Sequence, residues 1–172
     1  MEPKIINKVN LLNFTKLFIA FCRFSMQMKR EQHLIWKSPL ELMKQMLAGR
    51  SVVAFRGWKI ICHVTVWHLT DNWYECGTMW TDPSSREKGL AQRVMQRLLE
   101  CNQDKLLMLT STNVVSQRLA RSVTFQAVKF NTLPQAVHKE TCICDEHKTG
   151  VTDQMLCQIK DRKCVCFVKL AN

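Results

Sequence analysis

The segment Asp82-Pro-Ser-Ser-Arg-Glu-Lys-Gly-Leu-Ala91 is a basic, glycine-containing turn, and its flanks constrain the fold more than any other part of the sequence. Before it, Trp73 to Thr81 is rich in aromatic and small residues and reads as a strand. After it, Leu90, Ala91, Val94, Met95, Leu98 and Leu99 repeat at helical spacing, while Arg93, Gln96, Arg97 and Glu100 take the other face. A strand, a turn and a helix with one buried face call for a core of mixed strands and helices.

The turn itself has two readings. A helix start leaves backbone N–H groups without intrahelical partners and carries partial positive charge, so it stabilises phosphate oxygens. Gly89 lets a ligand approach closely, and Arg86 and Lys88 add charge that Glu87 partly opposes. Alternatively, Ser84-Ser-Arg-Glu87 is a capping box whose side chains satisfy the same N–H groups. The glycine pair and Lys-Ser/Thr of a P-loop are absent, so the turn alone leaves both readings open.

Composition narrows the class. With 172 residues, 47% hydrophobic and 23% charged, the chain has ample material for a core and suits one domain over 1–172. The excess of 25 basic over 14 acidic residues, +11, favours anionic partners without naming them. Basic residues are scattered, with no regularly interleaved aromatics, which disfavours direct nucleic-acid binding. Leu17-Phe-Ile-Ala-Phe-Cys22, bracketed by Lys16 and Arg23, is far shorter than the ~20 residues of a membrane span. No clear signal-peptide cleavage site follows it, and nine scattered cysteines read as reduced thiols, so the expectation is a cytoplasmic protein without membrane contact.

Along the chain, Phe14 to Arg30 and Pro39 to Leu47 are patterned as helices, the second opened by Ser38 and closed by Gly49. Ser51 to Phe55 and Lys59 to Leu69 read as a hairpin about Arg56-Gly57, and Asp71-Asn72 turns into the strand that ends at the basic loop. Lys105 to Thr110 follows as a strand, and Asn113 to Arg121 as a helix with Val114, Val115, Leu119 and Ala120 available for burial. Phe125 to Phe130 is extended, Leu133-Pro134 starts a helix, and Lys163 to Leu170 is a last strand.

This order resembles the GNAT superfamily of acyl-CoA-dependent N-acyltransferases. Arg86-x-x-Gly89-x-Ala91 is similar to that family's pyrophosphate loop, Q/R-x-x-G-x-G/A, in the expected place between strand and helix. Leu106 to Asn113 followed by Val123-Thr-Phe125 resembles the next block, a strand, an Asn-led helix and a usual Gly-Phe ending. The likeness covers about 38–130 and leaves 131–172 as a cysteine-rich extension with a final strand. It implies an α/β fold with a central, mostly antiparallel mixed sheet flanked by helices.

The resemblance also implies an activity and a site. The partners would be acetyl-CoA as co-substrate and an amine acceptor, joined by direct attack of a neutral amine on the thioester. The backbone of Met79, Trp80 and Thr81 would pair with the pantetheine arm, and Arg86, Glu87, Lys88, Gly89, Leu90, Ala91 and Gln92 would cradle the pyrophosphate. Asn113 is a further candidate for pantetheine contact. Glu75 lies 11 positions before Arg86, where the histone acetyltransferase branch carries its base, against the alternative of an ordinary strand glutamate.

Two positions depart from the family. Its acid tyrosine falls at Ala120, and its glycine before Phe125 is Thr124. With the high basic charge, the first departure supports an alternative, a catalytically weak or inactive binding module acting through protein or nucleic-acid contacts. In the tail, Cys142, Cys144, His147 and Cys157 are the best set for tetrahedral zinc, but their spacing is imperfect and burial as small hydrophobes is the simpler reading. His33, His63, His68 and His138 read as packing or surface histidines, and Trp58, Trp67, Trp73 and Trp80 as core or sheet surface, with Trp73 and Trp80 also placed to line an acceptor pocket.

Overall fold

The computed structural model describes residues 2–31, 34, 36–86, 89–129, 132–141, 157–159 and 162–171. They form a mixed α/β fold with a mostly antiparallel sheet, and the chain divides into two compact units, 1–66 with 77–103, and 67–76 with 104–172.

In the first unit, helix α1 (Leu11–Met28) begins where Asn10 and Asn13 cap each other's backbone N–H at 2.9 and 2.8 Å, three residues before the first patterned position. Its buried residues Leu17, Ala20, Phe21, Phe24 and Met28 keep the three- and four-residue spacing of one face. Helix α2 (Pro39–Leu47) opens with the Ser38–Glu41 capping box, with proline in the first turn, and buries Leu42, Met43 and Met46.

Strand β1 (Lys4–Ile6) pairs antiparallel with β2 (Ser51–Arg56), and β2 pairs antiparallel with β3 (Lys59–Thr70). Every residue from Ser51 to Phe55 is buried, so β2 lies inside a covered sheet and shows no polar alternation. β1 escapes sequence reading because three residues are too few to show a period. Strand β4 (Trp73–Thr81) ends against β3, where the Asp82 N–H donates to Ile61 O at 2.9 Å. A 3₁₀ turn (Pro83–Ser85) then leads to helix α3 (Leu90–Glu100), which buries Leu90, Val94, Met95, Leu98 and Leu99.

In the second unit, β4 runs parallel to β5 (Leu106–Ser111), and β5 pairs antiparallel with β8 (Arg162–Lys169). β8 also takes β6 (Gln126–Val128) and β7 (Cys157–Ile159) as antiparallel neighbours. Helix α5 (Gln135–Thr141) brings Val137, with Leu133, onto Met108, Cys166 and Val168, and Trp73 packs against that cluster. Trp73 is therefore half-buried core of its own unit. Helix α4 (Val114–Ser122) buries Ala120 completely but leaves Val114 and Val115 58% and 72% exposed, contrary to the expectation that both are available for burial. They occupy the first turn of the helix.

Thr124 has φ +77°, the left-handed region that disfavours a β-branched residue, at the position where the family resemblance places glycine. Its side chain is exposed, so removing it forfeits little packing. Thr124→Gly is expected to raise stability by about 1 kcal/mol and Tm by roughly 2–4 °C, measured by thermal and urea unfolding.

Among the described residues no helix is long and apolar enough to cross a membrane.

Candidate functional site

The first unit carries the loop candidates. Helix α3 begins at Leu90 with Gly89 as its N-cap at φ +66°, and no side chain caps it. This excludes the Ser84–Glu87 capping box for α3. The Ser84 hydroxyl instead donates to Asp82 Oδ1 at 2.6 Å, and the Ser84 N–H does so at 3.0 Å, closing the 3₁₀ turn. Asp82 also pairs with Lys59, and these contacts hold its carboxyl down at about 2. The loop thus enters α3 from a charge-pinned turn, and among the described residues no side chain caps the N–H groups of Leu90, Ala91 and Gln92.

Two further observations fit a bound polyphosphate. A Cβ on Gly89 would meet no described atom within 4 Å, which leaves room beside the N-cap. Ser85 Oγ, buried in the same loop, has no hydrogen-bond partner, an arrangement that costs about 1–3 kcal/mol unless something completes it. Arg86 is exposed and donates from Nε to Thr81 O at 3.2 Å. Glu87 and Lys88 lie outside the described residues.

Upstream of the loop, β4 is not regular. Thr78 has φ +51°, a left-handed residue inside a strand, which turns the following peptide out of the usual pleat. Its carbonyl accepts a hydrogen bond from His63 Nδ1 at 3.0 Å. Since a carbonyl only accepts, Nδ1 carries the proton, and His63 Nε2 is an acceptor with the Ser51 and Thr65 hydroxyls each 2.9 Å away and 2.9 Å from one another. Met79, Trp80 and Thr81 follow the distortion. Trp80 is buried against Phe24, with its indole N–H on Glu31 Oε1 at 3.0 Å, so its side chain is core rather than a pocket wall.

His63 is completely buried, which pushes its pKa from the ordinary 6.5 down to about 4. The unfolded chain therefore binds more protons between those values, and stability rises with pH through the window. It is fully present above about 6.5 and is lost as pH falls through about 4, with a contribution of about 2–4 kcal/mol. Asp82 adds acid sensitivity only below its ordinary 3.8, a lower window. Urea unfolding at a series of pH values is expected to show the upper slope in the native chain and to lose it in His63→Asn. A flat native profile between 6.5 and 4 would contradict a neutral buried ring.

The second unit carries Glu75 and Asn113. Glu75 is half-buried in β4, in register with Met108 of β5, and Thr110, two residues on, donates to Glu75 Oε1 at 3.3 Å. Its neighbours Tyr74 and Cys76 are buried, the alternation of a strand with two different faces. Asn113 is exposed and caps α4, its Oδ1 accepting from Val115 N at 2.8 Å and Ser116 N at 3.4 Å. Ala120 offers a buried methyl where the resemblance places a phenol.

The sequence does not single out Thr78, Ser51 or Thr65. A usable signal was present: serine and threonine interrupt apolar strands at Ser51 and Thr65, which stand directly opposite each other, with His63 two residues along the same face. Of the zinc candidates, Cys142, Cys144 and His147 lie outside the described residues, and Cys157 is described only by its backbone pairing with Cys164. Among the described residues no cluster of His, Cys, Asp or Glu is arranged to hold a metal.

Known proteins resemble the chain chiefly in fold. Rv2747 from Mycobacterium tuberculosis, solved with CoA and NLQ, superposes with a TM-score of 0.64 at 14% identity over 98% of this chain and 100% of its own. N-acetylglutamate synthase from Neisseria gonorrhoeae, complexed with coenzyme A and N-acetyl-glutamate, gives 0.61 at 12% identity over 100% of this chain. This chain spans only 36% of that one. The acetyltransferase yncA of Salmonella typhimurium, with acetyl-CoA, gives 0.57 at 15% identity over 99% of this chain and 94% of its own. At such identities the likeness shows the fold alone. No curated protein sequence matches significantly. The profile of the acetyltransferase (GNAT) family, however, matches residues 18–125, more than half the chain and including both β4 and the loop into α3. This protein belongs to the GNAT family of acetyltransferases.

Proposed function

We propose that the protein transfers the acetyl group of acetyl-CoA to a primary amine. The observation that carries this reading is the start of α3, a left-handed glycine N-cap with no capping side chain among the described residues and room beside it. An uncapped helix start followed by nonpolar burial is poorly satisfied alone and well satisfied by pyrophosphate oxygens. Arg86, Lys88 and the N–H groups of Leu90, Ala91 and Gln92 would hold that group. The distortion at Thr78 and the backbone of Met79, Trp80 and Thr81 would orient the pantetheine arm, and Asn113 would meet it through its amide.

Acetyl-CoA supplies an activated acyl group, so the chain's own tasks are positioning, polarising the thioester carbonyl with a strand N–H, and removing the ammonium proton of the acceptor. Glu75 would take that proton, directly or through water, while Thr110 fixes the carboxylate. The protein needs no phenol to release the thiolate, because alkyl thiols ionise near pH 8.5 and water suffices as proton donor. The buried methyl of Ala120 nonetheless supports a second reading, a GNAT-fold module that binds acetyl-CoA without efficient turnover.

Titration calorimetry with acetyl-CoA tests the first requirement. Heat of binding at or below near-millimolar ligand is expected, and a folded sample without it would overturn the transferase reading and leave a module that keeps only the fold and acts through protein or nucleic-acid contacts. An acceptor panel then separates them: CoA release supports the transferase, and binding without release supports the module. The chain is further proposed to act in the cytoplasm as a single domain, the acceptor being a small-molecule, amino-acid or protein amine.

A further inference from the structure

We infer that His63 is a positioning residue for acyl transfer, the member of a buried set of Thr65, Ser51 and His63 that holds the Thr78 carbonyl and so sets the distorted turn of β4. The inference rests on the acyl-transfer reading and goes beyond it, because it assigns the geometry of the acyl-binding strand to three residues of the neighbouring strands.

The contacts converge on the ring. Ser51 Oγ and Thr65 Oγ1 each lie 2.9 Å from His63 Nε2, which accepts, the two hydroxyls also bond each other at 2.9 Å, and His63 Nδ1 donates to Thr78 O. Each link is 2.9–3.0 Å and each of the three side chains is completely buried. Buried hydrogen bonds that share a group polarise one another, and low local dielectric makes each link costly to leave open. Phe21 and Phe24 of α1 pack on the imidazole, with ring centroids 5.9 and 5.0 Å away, so the ring has no room to turn. The tautomer is therefore fixed from one side by hydroxyls and from the other by the carbonyl.

The far end of this set is a strained residue. A β-branched Thr78 at φ +51° is held only where the surroundings over-determine it. A carbonyl anchored from below fixes the peptide that joins Thr78 to Met79, and with it the direction of the Met79 N–H, at the first of the residues assigned to the acyl-CoA arm. A general packing histidine would require none of this, since an apolar side chain of similar volume would fill the space under the two phenylalanines equally well. A buried hydrogen-bonded set on β2 and β3, in register and ending on one carbonyl through His63 Nδ1, is what distinguishes a positioning device from filler.

The test compares three variants with the native chain in acetyl transfer, acetyl-CoA affinity by calorimetry, and hydrogen exchange over residues 73–81 by mass spectrometry. His63→Leu removes the donor at similar volume. Its kcat is expected to fall about tenfold or more, with acetyl-CoA Kd within about twofold and faster exchange at Thr78 to Trp80. His63→Asn keeps an amide N–H in the place of Nδ1 and is expected to regain most of that kcat. Thr65→Val, similar in shape, removes one of the two hydroxyls on His63 Nε2 and is expected to lower kcat about two- to threefold with Kd unchanged.

A folded His63→Leu with native kcat would overturn the inference, as would equal losses in His63→Leu and His63→Asn, or losses of kcat that only follow lost acetyl-CoA binding. If His63→Leu does not fold, native kcat and native exchange in Thr65→Val overturn it alone. Failure of this inference leaves the native chain active and the acyl-transfer reading standing. A native chain that binds no acetyl-CoA removes that reading and this inference together.

Discussion

Glu75→Gln is expected to lower kcat for acetyl transfer by about 10²–10³-fold at neutral pH, with acetyl-CoA affinity within about twofold of native. Primary amines are ammonium ions at neutral pH and cannot attack a thioester until they lose a proton. Glutamine keeps the length of glutamate and still accepts the Thr110 hydroxyl, which lies 3.3 Å from Oε1 in the native chain, so the strand is undisturbed. What it loses is the capacity to take a proton. The remaining activity is therefore expected to rise with pH, as solution comes to supply the neutral amine. Steady-state kinetics from pH 6 to 10 on both forms would show it. Unchanged kcat in the variant would return Glu75 to an ordinary strand carboxylate and leave the proton to another group.

Gly89→Val is expected to raise the acetyl-CoA Kd by about tenfold or more and to destabilise the chain by about 1–2 kcal/mol. Two effects combine. Gly89 sits at φ +66°, where a β-branched residue is strained. A Cβ there meets no described atom within 4 Å, so a side chain would stand where a phosphate is proposed to approach the helix start. Gly89→Asn separates the two, because asparagine tolerates the left-handed region. Its stability is expected to stay near native while its affinity falls. Calorimetry and thermal unfolding on both variants measure the pair, and native affinity in Gly89→Asn would show that the ligand does not approach over Gly89.

Much of this fold is legible in the sequence because its elements carry local signals. Pro39–Leu47 and Trp73–Thr81 stand where Ser38, Pro39 and the Asp71-Asn72 turn punctuate the chain. Boundaries drift where the signal is a cap rather than a period, as at α1, whose start depends on a reciprocal pair of asparagines. The same weakness produced the capping-box alternative at Ser84, since a serine three residues before a glutamate looks alike whether it caps an α-helix or, as here, lies in a short turn closed by Asp82. β1 owes its conformation to a partner about fifty residues away, and β1 and β7, three residues each, are too short to leave a pattern of their own.

The candidate site divides in the same way. Gly89, Arg86 and Asn113 are readable because a turn or a helix start demands those residue types locally. The strand distortion at Thr78 and the bonds among Thr65, Ser51 and His63 are three-dimensional facts, made of hydrogen-bonded pairs up to 15 positions apart that only strand register brings together. Sequence alone sees there a histidine among apolar neighbours.

Mass spectrometry of a reaction between the protein, acetyl-CoA and a broad library of primary amines tests the central claim most directly. The account predicts at least one acetylated amine, formed in equal amount with free CoA, and its loss in Glu75→Gln under conditions where calorimetry shows acetyl-CoA still bound. Acetyl-CoA bound by the native protein with no amine acetylated above the uncatalysed rate would contradict it.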